Sequence, residues 1–318
     1  MQIYRIESGQ LNLRLGGTAA AFGRFDALHR GHMSIIGRAV GYAEKHGLKS
    51  LVYMFENEPA EVISGRQVKS VNTVSKRLEI LEKAGVDIAV VQKFDKTVMN
   101  MPCERFINDY IREAFDAKYI AVGFNYRFGR GAEGTAEYLR DECRKFGTEV
   151  YIEEGISDSG GVISSTRIRE LIADCRVDIA AELMGRYFSV SGIIVRGHHI
   201  GSDRLGFPTA NIKFPKDCIV PGYGVYITTA CVKGRRFPAI TNVGGKPTLN
   251  DGGMLIETHI CAEFGDLYGE RIEIEFCEFI RGIRKFDSLD DLANQLKKDR
   301  DRSEKFYITK YAGGITNE

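Results

Sequence analysis

The sequence lacks three features that would narrow its class: cysteine pairs at metal-ligand spacing, a strong net charge and a long apolar run. Its seven cysteines include no C-x-x-C pair, which argues against a zinc site and favours reduced, mostly buried thiols. A net charge of +1 argues against a nucleic-acid binder, because such proteins usually carry a basic face. No apolar run approaches the roughly 18 residues that span a bilayer, so we expect no membrane contact.

What is present is an ordinary globular composition, with 43% hydrophobic and 27% charged residues. The 318 residues suggest two domains at a prior of roughly 150 residues each. The first ten residues, MQIYRIESGQ, show no basic-then-apolar signal pattern. We therefore expect a cytoplasmic protein with two domains. The sequence predicts no oligomeric state.

The first half alternates apolar strands with amphipathic helices. Strands that are apolar throughout and separated by helices indicate a parallel sheet covered on both faces, which is a Rossmann-like α/β module. Gly47 and Gly85 follow predicted helices as C-caps. Strands are predicted at 18–23, 51–55, 87–91, 119–123 and 149–152, and helices at 32–46, 77–84, 103–115 and 136–146.

The second half has a different pattern. Alternating apolar and polar residues at 189–195, 224–232 and 271–279, with glycine-rich turns between them, predict a small antiparallel barrel. A closing helix follows, with Ser288 as N-cap, Asp291 three residues later, and a buried stripe of Leu289, Leu292 and Leu296. Residues 166–184 are predicted to be helical and to connect modules at 1–184 and 185–318.

The turn after the first strand carries His29-x-Gly31-His32. In an open parallel sheet, phosphates bind at the carboxyl ends of strands near helix N-termini, and Gly31 allows close backbone approach. His29 and His32 could donate N–H groups to a phosphate that gains charge in a transition state. Alternatively, both are loop histidines with local hydrogen bonds. Their position before a helix favours a functional role.

The wider pattern Gly23-x-Phe25-Asp26-x-x-His29-x-Gly31-His32 resembles the adenylyltransferase module of the bacterial bifunctional riboflavin kinase/FAD synthetase family. Residues 122–129 (VGFNYRFG) and 163–169 (ISSTRIR) are similar to two further nucleotide-binding segments of that family. A serine/threonine run that opens a helix is by itself usually only an N-cap. The resemblance implies a nucleotide-binding set from these segments: Gly23, Phe25, Asp26, Gly31, Asn125, Arg127, Ser165, Thr166 and Arg169.

A second phosphate site is predicted at residues 205–212 (LGFPTANI), after the glycine-bearing loop 197–201. Glycines allow backbone N–H groups to cradle phosphates. Thr209 and Asn211 are suitable oxygen ligands for a magnesium ion that keeps several waters. The alternative is a β-turn followed by a strand, which would explain Gly206 and Pro208 without a function.

The same segment resembles the riboflavin kinase signature. Matching motifs follow in family order at 221–226 (PGYGVY), 242–248 (NVGGKPT), 257–259 (ETH) and 266–269 (DLYG). The resemblance implies that Glu257 is the general base for the riboflavin 5′-hydroxyl, although a lone strand glutamate is more often simply solvated. It also implies a substrate-binding set with Mg²⁺ on Thr209 and Asn211: Gly201, Gly206, Pro208, Thr209, Asn211 and Asn242.

Together the resemblances imply that the second module phosphorylates riboflavin with ATP and the first adenylylates FMN to FAD, with only small-molecule substrates. Ala27 stands where the family has glycine, and Glu58 where its F-x-P-H-P motif has histidine. The nearest alternative is therefore a kinase with a weak or silent adenylyltransferase module. The others are a non-catalytic flavin-binding regulator and an enzyme that adenylylates a different phosphorylated acceptor.

Overall fold

A computed structural model describes residues 1–7, 11–195, 209–244, 255–262 and 267–311. The chain forms two compact units, Met1–Ser165 and Thr166–Glu318. The first contains a parallel sheet with helices, and the second a closed antiparallel barrel, so both predicted fold classes are confirmed. The compact units separate at Thr166, whereas the predicted module boundary follows residue 184.

The first unit is built on a six-stranded parallel sheet in the order β1-β4-β3-β2-β5-β8. β1 was not predicted, because of its five residues only Ile6 is buried and its pattern is mostly polar. It extends the sheet by pairing with β4. The strands are β1 (Gln2–Ile6), β2 (Thr18–Phe22), β3 (Lys49–Phe55), β4 (Ile88–Gln92), β5 (Ala117–Gly123), the short β6 (Arg127–Phe128) and β7 (Gly134–Thr135), β8 (Glu149–Glu153), and the short β9 (Ser157–Asp158) and β10 (Gly161–Val162).

Apolar residues cover both faces of this sheet, as predicted. Because successive strand residues point to opposite faces, Phe22 and Tyr53 pack into one core while Ala21 and Met54 pack into the other. β2 is buried over all five residues. The chain therefore has a rigid central strand whose carboxyl end presents the loop with His29 and His32.

The four predicted helices are present with shifted ends, and two short helices, Pro59–Ser64 and Lys96–Met99, were not predicted. Residue 29 caps the first helix, which begins at Arg30 rather than at 32, and Gly47 ends it in the left-handed conformation. Thr73 caps the third helix through a bond from the Lys76 amide to Oγ1. The helices of this unit are α1 (Arg30–His46), α2 (Pro59–Ser64), α3 (Val74–Lys83), α4 (Lys96–Met99), α5 (Cys103–Arg105, continued as a π-helix over Phe106–Ala114) and α6 (Ala136–Arg144).

The predicted helical connection at 166–184 is interrupted. It consists of α7 (Ser165–Ala173) and α8 (Val177–Met184). Between them Cys175 adopts a left-handed backbone with φ 64°, a conformation that a continuing right-handed helix does not contain. The helical periodicity predicted both helices but not this break.

Six strands of the described residues close the predicted antiparallel barrel in the order β11-β12-β15-β14-β13-β16. Large aromatic side chains fill its interior, including the fully buried Phe188, Tyr226 and Phe276. The strands are β11 (Phe188–Val195), β12 (Thr209–Lys213), β13 (Gly224–Val232), β14 (Arg235–Val243), β15 (Leu255–Ile260) and β16 (Arg271–Arg281).

The closing helix α9 (Leu289–Tyr311) follows the barrel. Its predicted cap is confirmed, because the Asp291 amide donates to Ser288 Oγ at 3.1 Å. The predicted buried stripe is wrong, since Leu289 is 56% exposed and Leu292 and Leu296 are only half-buried. The helix is anchored further along by Asp299 and Ser303, its buried residues. Within the described residues no helix is long and apolar enough to cross a membrane.

The seven cysteines are free thiols, and four of them are buried. Burial raises the pKa of the Cys143 and Cys277 thiols to about 12 each. A thiol with such a pKa is neutral and unreactive at physiological pH. The expectation of reduced, mostly buried thiols is consistent with this packing.

Candidate functional site

The first candidate site begins where β2 ends and α1 starts. His29 is the N-cap of α1, and its Nδ1 accepts a hydrogen bond from the His32 amide at 3.3 Å. Because Nδ1 acts as an acceptor, the proton of the neutral ring lies on Nε2, which leaves that nitrogen as the ring's donor. The local role that the sequence left open for His29 is therefore real. Even with this hydrogen bond, His29 Nε2 remains a donor group at the N-terminus of α1.

The imidazole rings of His29 and His32 are stacked, with centroids 3.7 Å apart and an interplanar angle of 18°. The ring of Phe25 meets His32 edge to face at 5.3 Å. His29 is buried and His32 half-buried. A β-carbon on Gly31 would approach His29 Cε1 to 3.2 Å, so Gly31 makes room for the histidine as well as for a ligand.

The loop between β2 and α1 has an unusual backbone. Phe25 and Leu28 adopt left-handed conformations, with φ 48° and 47°, and both side chains are completely buried. Such residues are strained by about 1–3 kcal/mol each and persist only where their surroundings enforce them. A β-carbon on Gly23 would lie 2.9 Å from the Phe25 ring. Gly23 is therefore required here for packing.

Asp26 holds this loop from within. It is 2% exposed, and its Oδ1 accepts hydrogen bonds from the amides of Val71 at 2.8 Å and Asn72 at 3.5 Å. Asn72 Nδ2 in turn donates to the Asp26 carbonyl at 2.8 Å. The carboxylate that was predicted to bind nucleotide thus braces the loop that bears the histidines.

A buried arginine that the sequence interpretation missed also reaches this loop. Arg77 of α3 is 5% exposed and donates from Nη1 to the carbonyls of Arg24 at 3.3 Å and Phe55 at 2.9 Å. Its Nη2 donates to the Glu56 carbonyl at 3.0 Å. One signal was available in the sequence, because Arg77 stands on the buried face of an amphipathic helix, where a charged residue needs partners.

The position that departs from the family motif is occupied by a buried glutamate in an ion pair with a half-exposed arginine. Glu58 follows β3 and is 7% exposed. Its Oε2 pairs with Nη2 of Arg24, which lies between Gly23 and Phe25 in the loop. A buried carboxylate is stable when it is paired in this way. Glu58 therefore supports the loop rather than leaving a gap at its edge.

Asn125 and Arg127 lie beyond the carboxyl end of β5, the strand adjacent to β2. The two strands pair in parallel, with Phe22 opposite Val122. β3 lies on the other side of β2, so the chain reverses direction across the sheet between β2 and β5. Such a switch point forms the crevice in which open α/β sheets bind ligands. Both predicted binding segments border this crevice.

Side chains alternate along the segment after β5. Asn125 and Arg127 are exposed, whereas the ring of Tyr126 packs 5.8 Å from Phe128 and 6.4 Å from Phe22. Burial raises the pKa of Tyr126, so its phenol stays neutral. The buried aromatics fix the segment and leave the two polar side chains at its surface.

The third predicted segment, residues 163–169, contains Ser165, whose Oγ accepts a hydrogen bond from the Ala27 amide at 3.4 Å. Thus a residue of this segment contacts the histidine-bearing loop directly. Thr166 and Arg169 follow in the first turn of α7, where Arg169 Nη2 donates to Thr166 Oγ1 at 3.1 Å. The structure gives Ser165 a local role in addition to its predicted one.

The second candidate site lies on the barrel, where strand register aligns residues that are far apart in sequence. Glu257 of β15 is directly opposite Asn211 of β12 on one side and Asn242 of β14 on the other. Residues directly opposite in antiparallel strands have β-carbons about 4.5–5.5 Å apart. The predicted base therefore lies between two predicted binding residues. Thr209 lies opposite His259 in the same register.

This row is on the outer face of the barrel. The neighbours of Glu257 in sequence, Ile256 and Thr258, are completely buried, and Glu257 itself is exposed. Asn211 is 6% exposed and Asn242 is half-buried. A carboxylate flanked by amides on an accessible face can meet a substrate hydroxyl.

The hydroxyl of Thr209 and the amide oxygen of Asn211 are hard oxygen donors of the kind that Mg²⁺ prefers. They stand two residues apart on β12, so they share one face of the strand. This donor set fits the predicted ion. Gly201, Gly206 and Pro208 lie outside the described residues. Within the described part of the chain, no three His, Cys, Asp or Glu side chains group together as a metal site.

Gly224, the second glycine in the barrel motif PGYGVY, has a packing role. A β-carbon on Gly224 would lie 2.5 Å from both the Arg281 carbonyl and the Phe279 ring. β13 and β16 could not approach each other this closely with a larger residue there. This motif residue is thus explained by strand packing.

Residues 12–167 match the family model described as FAD synthetase, and residues 184–307 match the model described as riboflavin kinase. The chain is 32% identical over 298 residues to the bifunctional riboflavin kinase/FMN adenylyltransferase of Haemophilus influenzae, covering 93% of this chain and 96% of that protein. It is 30% identical over 299 residues to the protein of the same name from Escherichia coli K12, covering 93% of this chain and 95% of that protein.

A solved structure from Streptococcus pneumoniae, named a macrolide-efflux protein, has a TM-score of 0.85 at 30% identity and covers 94% of this chain and 98% of its own. The likeness shows that the fold of nearly the whole chain recurs in that structure. That name describes the Streptococcus pneumoniae protein and is not applied to this chain. Because two family models match successive parts of the chain and a 32% identical relative is covered almost completely, the chain belongs to the bifunctional riboflavin kinase/FMN adenylyltransferase family.

Proposed function

We propose that this chain converts riboflavin to FMN and FMN to FAD, using ATP in both reactions. The observation that carries the proposal is that each unit holds its own aligned set of phosphate-handling residues. The first unit has stacked His29 and His32 at the start of α1. The second has Glu257 between Asn211 and Asn242.

In the kinase reaction, the riboflavin 5′-hydroxyl oxygen attacks the γ-phosphorus of ATP and ADP leaves. An alcohol is a poor nucleophile at neutral pH, so Glu257 takes its proton as general base. Asn211 and Asn242 flank that carboxylate and orient the substrate. We assign Mg²⁺ to Thr209 and Asn211, where it would neutralise phosphate charge.

In the adenylyl-transfer reaction, a phosphate oxygen of FMN attacks the α-phosphorus of ATP and pyrophosphate leaves. The substrate supplies the nucleophile, so the protein has to position the two phosphates and stabilise charge. His29 and His32 donate N–H groups toward the phosphate at the N-terminus of α1, whose dipole also favours negative charge. The nucleotide-binding roles that the family resemblance implies remain predictions for Asn125, Arg127, Thr166 and Arg169. The module bounds 1–184 and 185–318 and the cytoplasmic location also remain predictions.

The kinase assignment is tested with Glu257→Gln in the full chain. We expect FMN formation to fall roughly 10²- to 10⁴-fold, the range for loss of a positioned base, while FAD formation from supplied FMN stays unchanged. The matched control is Glu270→Gln, which neutralises another barrel carboxylate, paired with Lys233 at 3.0 Å, and leaves both activities intact. Equal loss of both activities in Glu257→Gln would contradict the proposal that the second unit forms FMN and the first unit forms FAD.

The adenylyl-transfer assignment is tested with His32→Ala. FAD formation from FMN is expected to fall about 10²- to 10³-fold, as for loss of one transition-state donor, with FMN formation unchanged. The control is His46→Ala at the opposite end of the same helix, where His46 is exposed. A rate of FAD synthesis in His32→Ala equal to that of the unsubstituted protein would refute the site.

Analysis of the reaction products separates the alternatives. The purified chain is given ATP, Mg²⁺ and riboflavin, and FMN, FAD and pyrophosphate are resolved over time. FMN without FAD or pyrophosphate indicates a silent first module. Flavin binding without ATP turnover indicates a regulator. If this mixture releases no pyrophosphate but a parallel mixture with a different phosphorylated acceptor does, the first unit is another adenylyltransferase.

A further inference from the structure

The loop from Gly23 to Leu28 determines where His29 and His32 lie, because it joins β2 directly to the first turn of α1. Phe25 and Leu28 in this loop hold left-handed backbones without being glycine. Strained loop conformations of this kind persist only when surrounding groups enforce them. The contacts that enforce this one therefore control the geometry of the candidate adenylyl-transfer site.

Arg77 supplies a contact that no neighbouring loop residue can supply. Its guanidinium links two separate segments: Nη1 donates to the carbonyl of Arg24 in the loop and to that of Phe55 at the end of β3, and Nη2 to the carbonyl of Glu56. Both segments are at the carboxyl edge of the sheet. A planar guanidinium presents several donors in fixed directions, which a lysine ammonium does not.

A second contact comes from the residue just before the same helix. Asn72 precedes Thr73, the N-cap of α3, and its Nδ2 donates to the Asp26 carbonyl at 2.8 Å. Loop residues 24 and 26 are thus both held from α3 and its cap. The side chain of Arg24 is held in addition by buried Glu58. The contacts from Arg77 and Asn72 thus come from α3 and the residue just before its cap, and the Glu58 contact adds a third point of support.

We propose that Arg77 is a positioning residue for adenylyl transfer, which sets the loop path that aligns His29 and His32 with the reacting phosphates. It is buried and acts through the backbone of residue 24. The inference rests on the proposed function of this site. A misplacement of about 1 Å at a reacting centre is enough to lower a rate on the order of 10²-fold.

The test uses Arg77→Lys in the full chain. Lysine keeps the buried positive charge but cannot bridge two segments with a fixed fork. We expect kcat for FAD formation to fall roughly 10- to 100-fold while KM for ATP and for FMN changes less than about threefold. FMN formation from riboflavin should be unchanged. The control is Lys83→Met, which removes an exposed pair with Glu79 (2.7 Å) from the same helix and should leave kcat unaltered.

A coupling measurement separates positioning from a general loss of stability. If Arg77 acts through His32, then Arg77→Lys combined with His32→Ala should lower residual FAD formation little more than His32→Ala alone. Independent, multiplicative losses would overturn the proposal, as would an unchanged kcat in Arg77→Lys. If Arg77→Lys does not fold, Asn72→Ala removes a second side-chain contact to the loop backbone and carries the same two expectations. Unchanged FAD synthesis in His32→Ala would instead refute the proposed site itself.

Discussion

A chain of three buried hydroxyls crosses the barrel beneath the candidate kinase site. Thr241 Oγ1 lies 2.9 Å from Thr228 Oγ1 and 2.9 Å from Thr258 Oγ1, and each residue is at most 1% exposed. Thr258 and Thr241 directly adjoin Glu257 and Asn242 in sequence, on the inner face of the strands. Thr241→Val removes the central hydroxyl with almost no change in volume.

The expected magnitude follows from the two partners that lose a hydrogen bond. A buried polar group left without its partner costs about 1–3 kcal/mol, and Thr228 and Thr258 are both affected. Because a hydroxyl can rotate toward another acceptor, we expect a loss of about 2–4 kcal/mol in the free energy of unfolding of the second unit. At about 2–4 °C per kcal/mol for a unit of this size, Tm should fall by about 4–16 °C.

Replacing all three threonines by valine should be less harmful than replacing one. When all three hydroxyls are removed, no buried hydroxyl is left without a partner. The free energy of unfolding should then change little, because apolar groups of the same shape occupy the space. We expect the triple variant to stay within about 1 kcal/mol of the unsubstituted protein. Thr229→Val is the single-residue control. It loses contacts to Cys277 Sγ at 3.6 Å and to the Tyr311 side chain, and it should cost about 1 kcal/mol, less than Thr241→Val.

The assay is calorimetry on the full chain, with the transition of the second unit identified by the temperature at which kinase activity is lost. Separate assignment is needed because two units do not necessarily unfold together. A triple variant that is at least as destabilised as Thr241→Val would refute the argument. So would a Thr241→Val variant whose transition does not move.

Two further predictions concern charges. The hydrogen bond from Lys118, together with that from the Gly17 amide, lowers the pKa of Asp116. Because the folded-state pKa of Asp116 is lower than its unfolded-state pKa, the carboxylate stabilises the first unit at pH values above the unfolded-state pKa. This stabilisation is lost as the pH falls through the folded-state pKa. Asp116→Asn should therefore flatten the fall in stability below about pH 4, and an unchanged pH profile of urea unfolding would contradict this. Asp299, 2% exposed, accepts from Arg281 Nε at 3.1 Å and Nη2 at 2.8 Å. Asp299→Ala should destabilise the second unit by about 3 kcal/mol. This is the lower end of the range for a broken buried ion pair, because Arg281 is 17% exposed. A loss below about 1 kcal/mol in the free energy of urea unfolding would disprove the prediction.

Local sequence features predicted most elements because their causes are local. Apolar runs such as β2 identify buried strands, and the residues that end α1 and start α9 are effective caps wherever they occur. The same approach missed β1, whose mostly polar residues are ordered by pairing with β4. It also placed Leu289 in a core, because helical periodicity shows which residues share a face but not where along the helix the barrel makes contact.

By itself, the sequence determined the two fold classes, the candidate histidines and the candidate base, because each depends on residue types at short spacing. Only the tertiary structure decided that Glu257 stands between Asn211 and Asn242, since register is set by pairing between strands distant in the chain. It also decided that Arg77 holds the loop before His29. A buried arginine shows its function only through the carbonyl groups that it meets, and folding alone brings those carbonyls together.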